Sequence, residues 1–304
     1  MKKKATPSNP FEAFQLHLID AGRATNTIRG YTHDLQLFAR WFEQTNGKPL
    51  RPQKLTSQDA REYQEYLVQH KASAATILRH QAALRAYAAW ARAAGLIDTH
   101  PINGLPPVEQ QKVAPKWLEK DEQGKLRREV ELAVNAARTE AARRQAIRDQ
   151  AIVLLLFNTG LRVSELCALE LGDVTLTDRK GLLRVRQGKG NKQRDIPLNA
   201  EARRALKNWL GVRPSGQPYL FVAKKGQGLR ATGVQRMLAE LGRRAGVEVT
   251  PHTLRHSFGK NLINAGVSLE MVAALLGHSD LNTTRLYTIP SAHDLNKATA
   301  VIGG

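Results

Sequence analysis

Cysteine is almost missing from this chain. Of 304 residues only Cys167 carries a thiol. That excludes a disulfide framework, and the apolar context ELCALEL suits a packed core side chain in a reducing compartment. Long hydrophobic runs are missing too. The longest, AIVLLLF at 151–157, falls far short of the roughly 20 residues a membrane span needs. The basic start MKKK is followed by polar and proline-containing residues instead of the apolar stretch of a secretory signal. A cytoplasmic, nucleoid-associated protein with no membrane contact is therefore expected. Acidic residues are scarce: 27 Asp and Glu stand against 46 Lys and Arg, giving a net charge of +19 and a pI near 10.3. Residues 1–115 hold 15 basic and 9 acidic side chains, and residues 116–304 hold 31 and 18, so both halves carry the excess. A polyanion, nucleic acid first, is the expected partner; a merely solvated surface is the competing account of charge alone. Internal repeats and low-complexity segments are absent.

What is present is enough apolar residue, 42%, for two cores in a chain longer than the usual single domain. Helical periodicity dominates the first hundred residues. Ile28, Tyr31, Leu35, Phe38 and Phe42 recur at three- and four-residue steps behind a Thr25 N-cap. Similar patterns predict helices over 11–21, 57–70 and 74–94. The last of these is alanine-rich and carries Arg79, Arg85 and Arg92 on roughly one side, either a wet face or a helix laid against DNA. Proline-rich 105–116 reads as a linker. The predicted domains are thus a helical one at 1–104 and a mixed one at 117–304. In the second, 121–157 is helical, as one helix or two. VTLT, LLRVR and RDIPL then form a small antiparallel sheet whose hairpin tip holds Lys189. Helices return near 200–211, 232–245, 251–265, 269–276 and 280–287. The fold class is mainly α with a small antiparallel sheet.

The stretch PHTLRHSFGKNLINAGVSLEMVAALLGHSDLNTTRLYT at 251–288 gathers three histidines, two arginines and a tyrosine. With Thr250 as N-cap and Pro251 at the first helical position, His252, Arg255, His256 and Gly259 share one face, and Gly259 permits a close approach. His252 and His256 have the i, i+4 spacing of a zinc helix, with His278 a conceivable third ligand. However, the intervening residues include no glutamate, and Arg255 would place a permanent charge beside the metal. Metal and cofactor are therefore not expected. LLGHSD ends a helix at Gly277, presents His278, and offers Ser279 as cap for the helix that delivers Tyr287. Upstream, NTGLRVSEL starts a helix at Arg162. Guanidinium groups, a lysine, imidazoles and a phenol form a set suited to a phosphodiester: cations for its charge, proton donors for its oxygens, a hydroxyl to attack.

The ordered motifs NTGLRVSELCALELGDV, GKGNKQRDIPL, PHTLRHSFGKNLINAG and LLGHSDLNTTRLYT resemble the tyrosine recombinases, or phage-type integrases, most of all the compact Xer-type and transposon-borne ones. The resemblance covers nearly the whole chain. It implies a helical core-binding domain and a mixed catalytic domain that clamp double-stranded DNA, with Arg162, Lys189, His252, Arg255, His278 and Tyr287 as the catalytic set. It implies further that Tyr287 attacks the scissile phosphate to leave a 3′-phosphotyrosyl link, without metal or ATP. Arg162 and Arg255 would clamp the phosphate, His252 assist the tyrosine, His278 bind a phosphate oxygen, and Lys189 protonate the leaving 5′-oxygen. Glu165 and His256 are expected to support the site and brace the fold. A homo-tetramer on two recombination sites, with the tail IPSAHDLNKATAVIGG exchanged between subunits, is implied as well. No arm-binding domain is expected before Phe11, and the charged 125–148 region is longer than in compact relatives. Relaxation of the type IB topoisomerase kind and noncatalytic DNA binding are the alternative functions.

Overall fold

The computed structural model describes residues 10–102, 104–108, 115–186, 193–223, 226–278 and 280–290. The chain divides into two compact units, residues 1–112 and 113–304.

The first unit consists of α1 (Pro10–Asp20), α2 (Thr25–Asn46), α3 (Ser57–Gln69) and α4 (Ala74–Ala93). The periodic stripe of α2 is its inner face: Leu35, Phe38 and Phe42 are buried, and Ile28 and Tyr31 pack at the margin. Thr25 is the first helical residue and not the cap. Ala24 holds the N-cap position and makes no side-chain bond. Thr56 and Asp59 form a reciprocal capping box on α3, and Ser73 caps α4. Leu105 and Val108 pack on this core, so the first part of the expected linker lies against the helices.

The three arginines of α4 do not share one environment. Six residues along a helix turn through about 600°, which separates Arg79 from Arg85 by roughly a third of a turn. Arg79 is drawn toward α2, where its Nη2 lies 2.9 Å from Oδ1 of the buried Asp34, and His80 Nε2 stands 3.4 Å from the same oxygen. All three remain exposed, Arg79 with 51% of its side chain, and Arg85 Nη2 donates to Gln81 Oε1 at 3.1 Å.

In the second unit, α5 (Lys120–Asn135) and α6 (Glu140–Thr159) are two helices, separated at a turn where Thr139 caps α6. The AIVLLLF run is the buried half of α6, packed among α5, α8 (Ala200–Val212) and α10 (Pro251–Asn264). Burial on all sides explains why this run shows no polar alternation. Between them lie α7 (Val163–Ala168) and a sheet of order β1-β2-β3: β1 (Val174–Leu176), β2 (Gly181–Val185) and β3 (Arg194–Pro197), antiparallel throughout. The hairpin tip with Lys189 lies outside the described residues. Helix α9 (Ala231–Ala245) packs against α5, α7 and α10, and α11 (Leu269–Leu276) and α12 (Leu281–Arg285) lead to a 3₁₀ turn at Leu286–Thr288. No helix among the described residues is long and apolar enough to cross a membrane.

Candidate active site

Four local devices aim the functional side chains. Gly160 ends α6 in the left-handed region (φ 60°), turning the chain so that Arg162 sits at the N-cap of α7. Thr250 caps α10 and Pro251 occupies its first position, as the sequence predicts. Gly277 ends α11 at φ 66° and presents His278. Asp280, whose carboxylate accepts from the Asn282 amide at 2.9 Å, caps α12; the expected cap, Ser279, lies outside the described residues.

The C-terminal end of α11 organises the cations. The last carbonyls of any helix lack intrahelical donors and form the negative end of its dipole. Here the Gly277 and His278 amides satisfy Ala274 and Ala273. The next three carbonyls each accept from a different arginine. Arg194 Nε donates to Leu275 O (2.9 Å), Arg255 Nη2 to Leu276 O (2.7 Å) and Arg162 Nη2 to Gly277 O (3.2 Å). Arg255 Nη1 also donates to Gly160 O at 2.5 Å, which joins the end of α6 to that of α11. Burial, and next the neighbouring Arg162, lower the Arg255 guanidinium to about 10, so it still carries its charge at neutral pH.

One carboxylate serves this group. Glu165 Oε1 accepts from Arg162 Nη1 (2.8 Å) and Arg194 Nη1 (3.0 Å), and Oε2 from the Arg162 amide (2.8 Å) and Arg194 Nη2 (2.8 Å). Burial pushes the Glu165 carboxyl up, but the bonds from Arg194 and Arg162 outweigh it and hold the group below its ordinary value.

Tyr287 lies against α10 with 1% of its surface exposed. Gly259 makes this possible: a Cβ there would stand 2.8 Å from Tyr287 Cε2 and Cζ. The close approach expected at this glycine is therefore to the phenol ring. The His278 ring stacks on Tyr287 (centroids 6.3 Å, 14°), and Lys260 Nζ donates to Ile289 O at 3.0 Å, which ties down the end of the turn. Burial raises the phenol pKa, while Arg255 and Arg162 pull it back.

His256 Nδ1 lies 3.0 Å from the Tyr287 hydroxyl. In this conformation it is His256, not His252, that the phenol touches. His252 is exposed, its ring centroid 6.4 Å from that of His256. The i, i+4 spacing put both on the right face, but which one meets the phenol depends on where the 3₁₀ turn crosses α10, one turn past Arg255. His278 Nδ1 lies 2.9 Å from Thr284 Oγ1. Sequence reasoning thus brought together Arg162, Glu165, Arg255, His256, His278 and Tyr287, and missed Arg194 and Thr284. Arg194 had one signal, a charged residue on the inward face of β3, paired with buried Val185; reading it requires the strand register. Among the described residues no three His, Cys, Asp or Glu side chains gather as a metal site.

Burial, then the charges of His252 and Arg255, lowers His256 to about 4. Burial, then Arg255 and Arg162, does the same to His278. Both imidazoles are therefore neutral at pH 7. An unfolded imidazole titrates near 6.5, so between about pH 6.5 and 4 the unfolded chain binds more protons than the folded one. Stability should therefore rise with pH across this window and fall on acidification. Thermal unfolding from about pH 7 to about pH 4.5 is expected to show a steadily falling midpoint, and the double substitution His256→Gln, His278→Gln is expected to flatten that fall.

The phage integrase family model matches residues 126–293, and the phage integrase N-terminal SAM-like domain matches residues 11–95. The tyrosine recombinase XerA of Pyrococcus furiosus is 35% identical over 98% of this chain and 95% of its own length; the tyrosine recombinase XerC of Corynebacterium glutamicum is 35% identical over 88% and 82%. Among solved structures, the XerH site-specific recombinase bound to palindromic difH substrate is similar with a TM-score of 0.75 and 22% identity, covering 97% of this chain and 85% of that one. The Tn1549 transposon integrase bound to transposon right end DNA has a TM-score of 0.72 and 19% identity, covering 97% and 99%.

Proposed function

Because the chain belongs to the phage integrase family and is a site-specific tyrosine recombinase, we propose that Tyr287 is its nucleophile and that the arginines beside it hold the scissile phosphate of a double-stranded DNA recombination site. The observation that carries this reading is convergence. Residues from α7, α10, α11 and the 3₁₀ turn place Arg162, Arg255, His278 and Tyr287 around the end of one helix.

The phenol oxygen forms a bond to phosphorus while the bond to the 5′-oxygen breaks. The electron pair leaves with that oxygen, which then takes a proton. One phosphoester replaces another, so the 3′-phosphotyrosyl link stores the energy needed for rejoining and no ATP is required. Arg162 and Arg255 bind the nonbridging oxygens, whose charge grows in the transition state. His278 is neutral. We assign Thr284 as the donor to its Nδ1, 2.9 Å away, which leaves the proton on Nε2 to donate to a phosphate oxygen. Since Tyr287 is almost wholly enclosed, its hydroxyl has to leave His256 to reach a phosphodiester. His252, exposed one turn earlier on the same face, is assigned the phenol proton. Lys189 is assigned the proton for the 5′-oxygen. Exchange of four strands calls for four active subunits, so a homo-tetramer on two sites, with the tail 291–304 passing to a neighbour, completes the proposal.

The test is to incubate the protein with total DNA of its host, denature, digest, and sequence the strands that stay attached to peptide. One sequence class joined through its 3′-phosphate to Tyr287 is expected, together with exchange between two marked copies of that sequence. Relaxation of plasmids regardless of sequence, with no exchange, would instead indicate a topoisomerase, and affinity without any adduct a noncatalytic DNA-binding module.

A further inference from the structure

Arg194 has no part in the mechanism above, yet it is the more enclosed member of the pair on Glu165: 11% of its side chain is exposed, against 27% for Arg162. It comes from β3, on the sheet's inward face, and spends its whole donor fork within the site, on both oxygens of Glu165 and on Leu275 O. A link that only fastened β3 to α11 would need one of these bonds. The bidentate pair with Glu165 calls for a different explanation.

Charge supplies it. Arg162, Arg194 and Arg255 contribute three positive charges and Glu165 one negative, so the group carries two. A phosphodiester brings one negative charge, and the five-coordinate phosphorus formed during attack brings two. Without Arg194, Glu165 would cancel Arg162 and leave a single positive charge facing the doubly charged transition state. Glu165 has 2% of its side chain exposed, so water would do little to screen it.

We propose that Arg194 is a positioning residue for DNA cleavage: by pairing with Glu165 it leaves the Arg162 guanidinium oriented and charged for the scissile phosphate. This rests on the reading of Arg162 and Tyr287 given above, and it deepens that reading. The effect belongs to the chemical step, because the pair lies inside the protein and contributes little to the long-range attraction that brings DNA to the surface.

The experiment measures the rate of adduct formation on a nicked suicide duplex carrying the sequence recovered by trapping with the wild-type protein. Arg194→Gln, Glu165→Gln, their double variant and Arg194→Lys are compared, on the ordinary duplex and on one with a methylphosphonate at the scissile position. Arg194→Gln is expected to slow cleavage on the order of 10²-fold while DNA affinity changes by less than about 3-fold. The double variant is expected to regain roughly 10-fold over Arg194→Gln, since no carboxylate charge then remains to neutralise. Arg194→Lys, which keeps the charge without the fork, should fall between wild type and Arg194→Gln, and it still decides the matter if the Gln variants do not melt cooperatively. The methylphosphonate, which lacks one negative charge, should narrow the gap between wild type and Arg194→Gln. A double variant no faster than Arg194→Gln, an Arg194→Lys no faster than Arg194→Gln, or an equal gap on both duplexes would overturn the inference and reduce Arg194 to a brace. Absence of any adduct with the wild-type protein would overturn the nucleophile reading itself, so the two failures are distinguishable.

Discussion

Tyr287→Phe is expected to eliminate the covalent protein–DNA adduct while leaving the fold and DNA affinity nearly unchanged. The substitution removes one oxygen atom. Among the described residues that oxygen bonds to His256 Nδ1, and losing this bond costs about 1 kcal/mol of stability. The ring keeps its place against Gly259 and His278, because those contacts are made by carbon atoms. Chemistry behaves differently: without the hydroxyl there is nothing to form the bond to phosphorus, and adduct formation should drop by at least about 10⁴-fold, to the background of the assay. Denaturing gel electrophoresis of end-labelled duplex after incubation reads this directly. A persistent adduct in the Phe variant would remove Tyr287 as nucleophile. Under the proposed mechanism the phenol, enclosed at rest, has to emerge from beside His256 before it can attack.

Arg255→Ala is the second large effect, and it reaches both stability and rate. The guanidinium is buried and donates to Gly160 O and Leu276 O, so truncation leaves two enclosed carbonyls at helix ends without donors. An unsatisfied buried acceptor costs about 1–3 kcal/mol, so two put the expected loss at roughly 2–6 kcal/mol, visible as a lowered denaturation midpoint. The rate should fall further, on the order of 10²–10³-fold or more, because the proposed phosphate ligand has gone. Arg255→Lys separates the two effects. A lysine keeps the charge but cannot span both carbonyls with a planar fork, so it should recover part of the rate and little of the stability. Single-turnover cleavage measured beside chemical denaturation checks both, and an Ala variant cleaving within about 3-fold of wild type would exclude Arg255 as a phosphate ligand.

Much of the site could be anticipated from local chemistry. Thr250 and Pro251 start α10 by the usual capping rules, and the i, i+3, i+4 spacing puts His252, Arg255, His256 and Gly259 on one face. Gly160 and Gly277 mark helix ends because they adopt left-handed backbone, and each hands its carbonyl to an arginine. The errors have equally local causes. Thr25 was expected to cap α2, but threonine is tolerated at the first helical position as well, and the neighbouring Ala24 took the cap. Spacing also could not show that Arg79, exposed like Arg85 and Arg92, pairs with a buried carboxylate, Asp34, of another helix.

By itself the sequence determined what is periodic or chemical: two apolar cores, many of the helix starts and stops, the positive charge excess, and the side chains able to handle a phosphodiester. Helix period and capping act over four residues or fewer, so they can be read along a single strand of text. Only the tertiary structure decided that His256 rather than His252 meets the resting phenol, that Arg194 shares Glu165 with Arg162, and that three consecutive carbonyls at the end of α11 each accept from a different arginine. Those contacts join residues far apart in the chain. They depend on strand register, on the crossing of one element over another, and on which buried polar groups remain to be satisfied once the helices have packed.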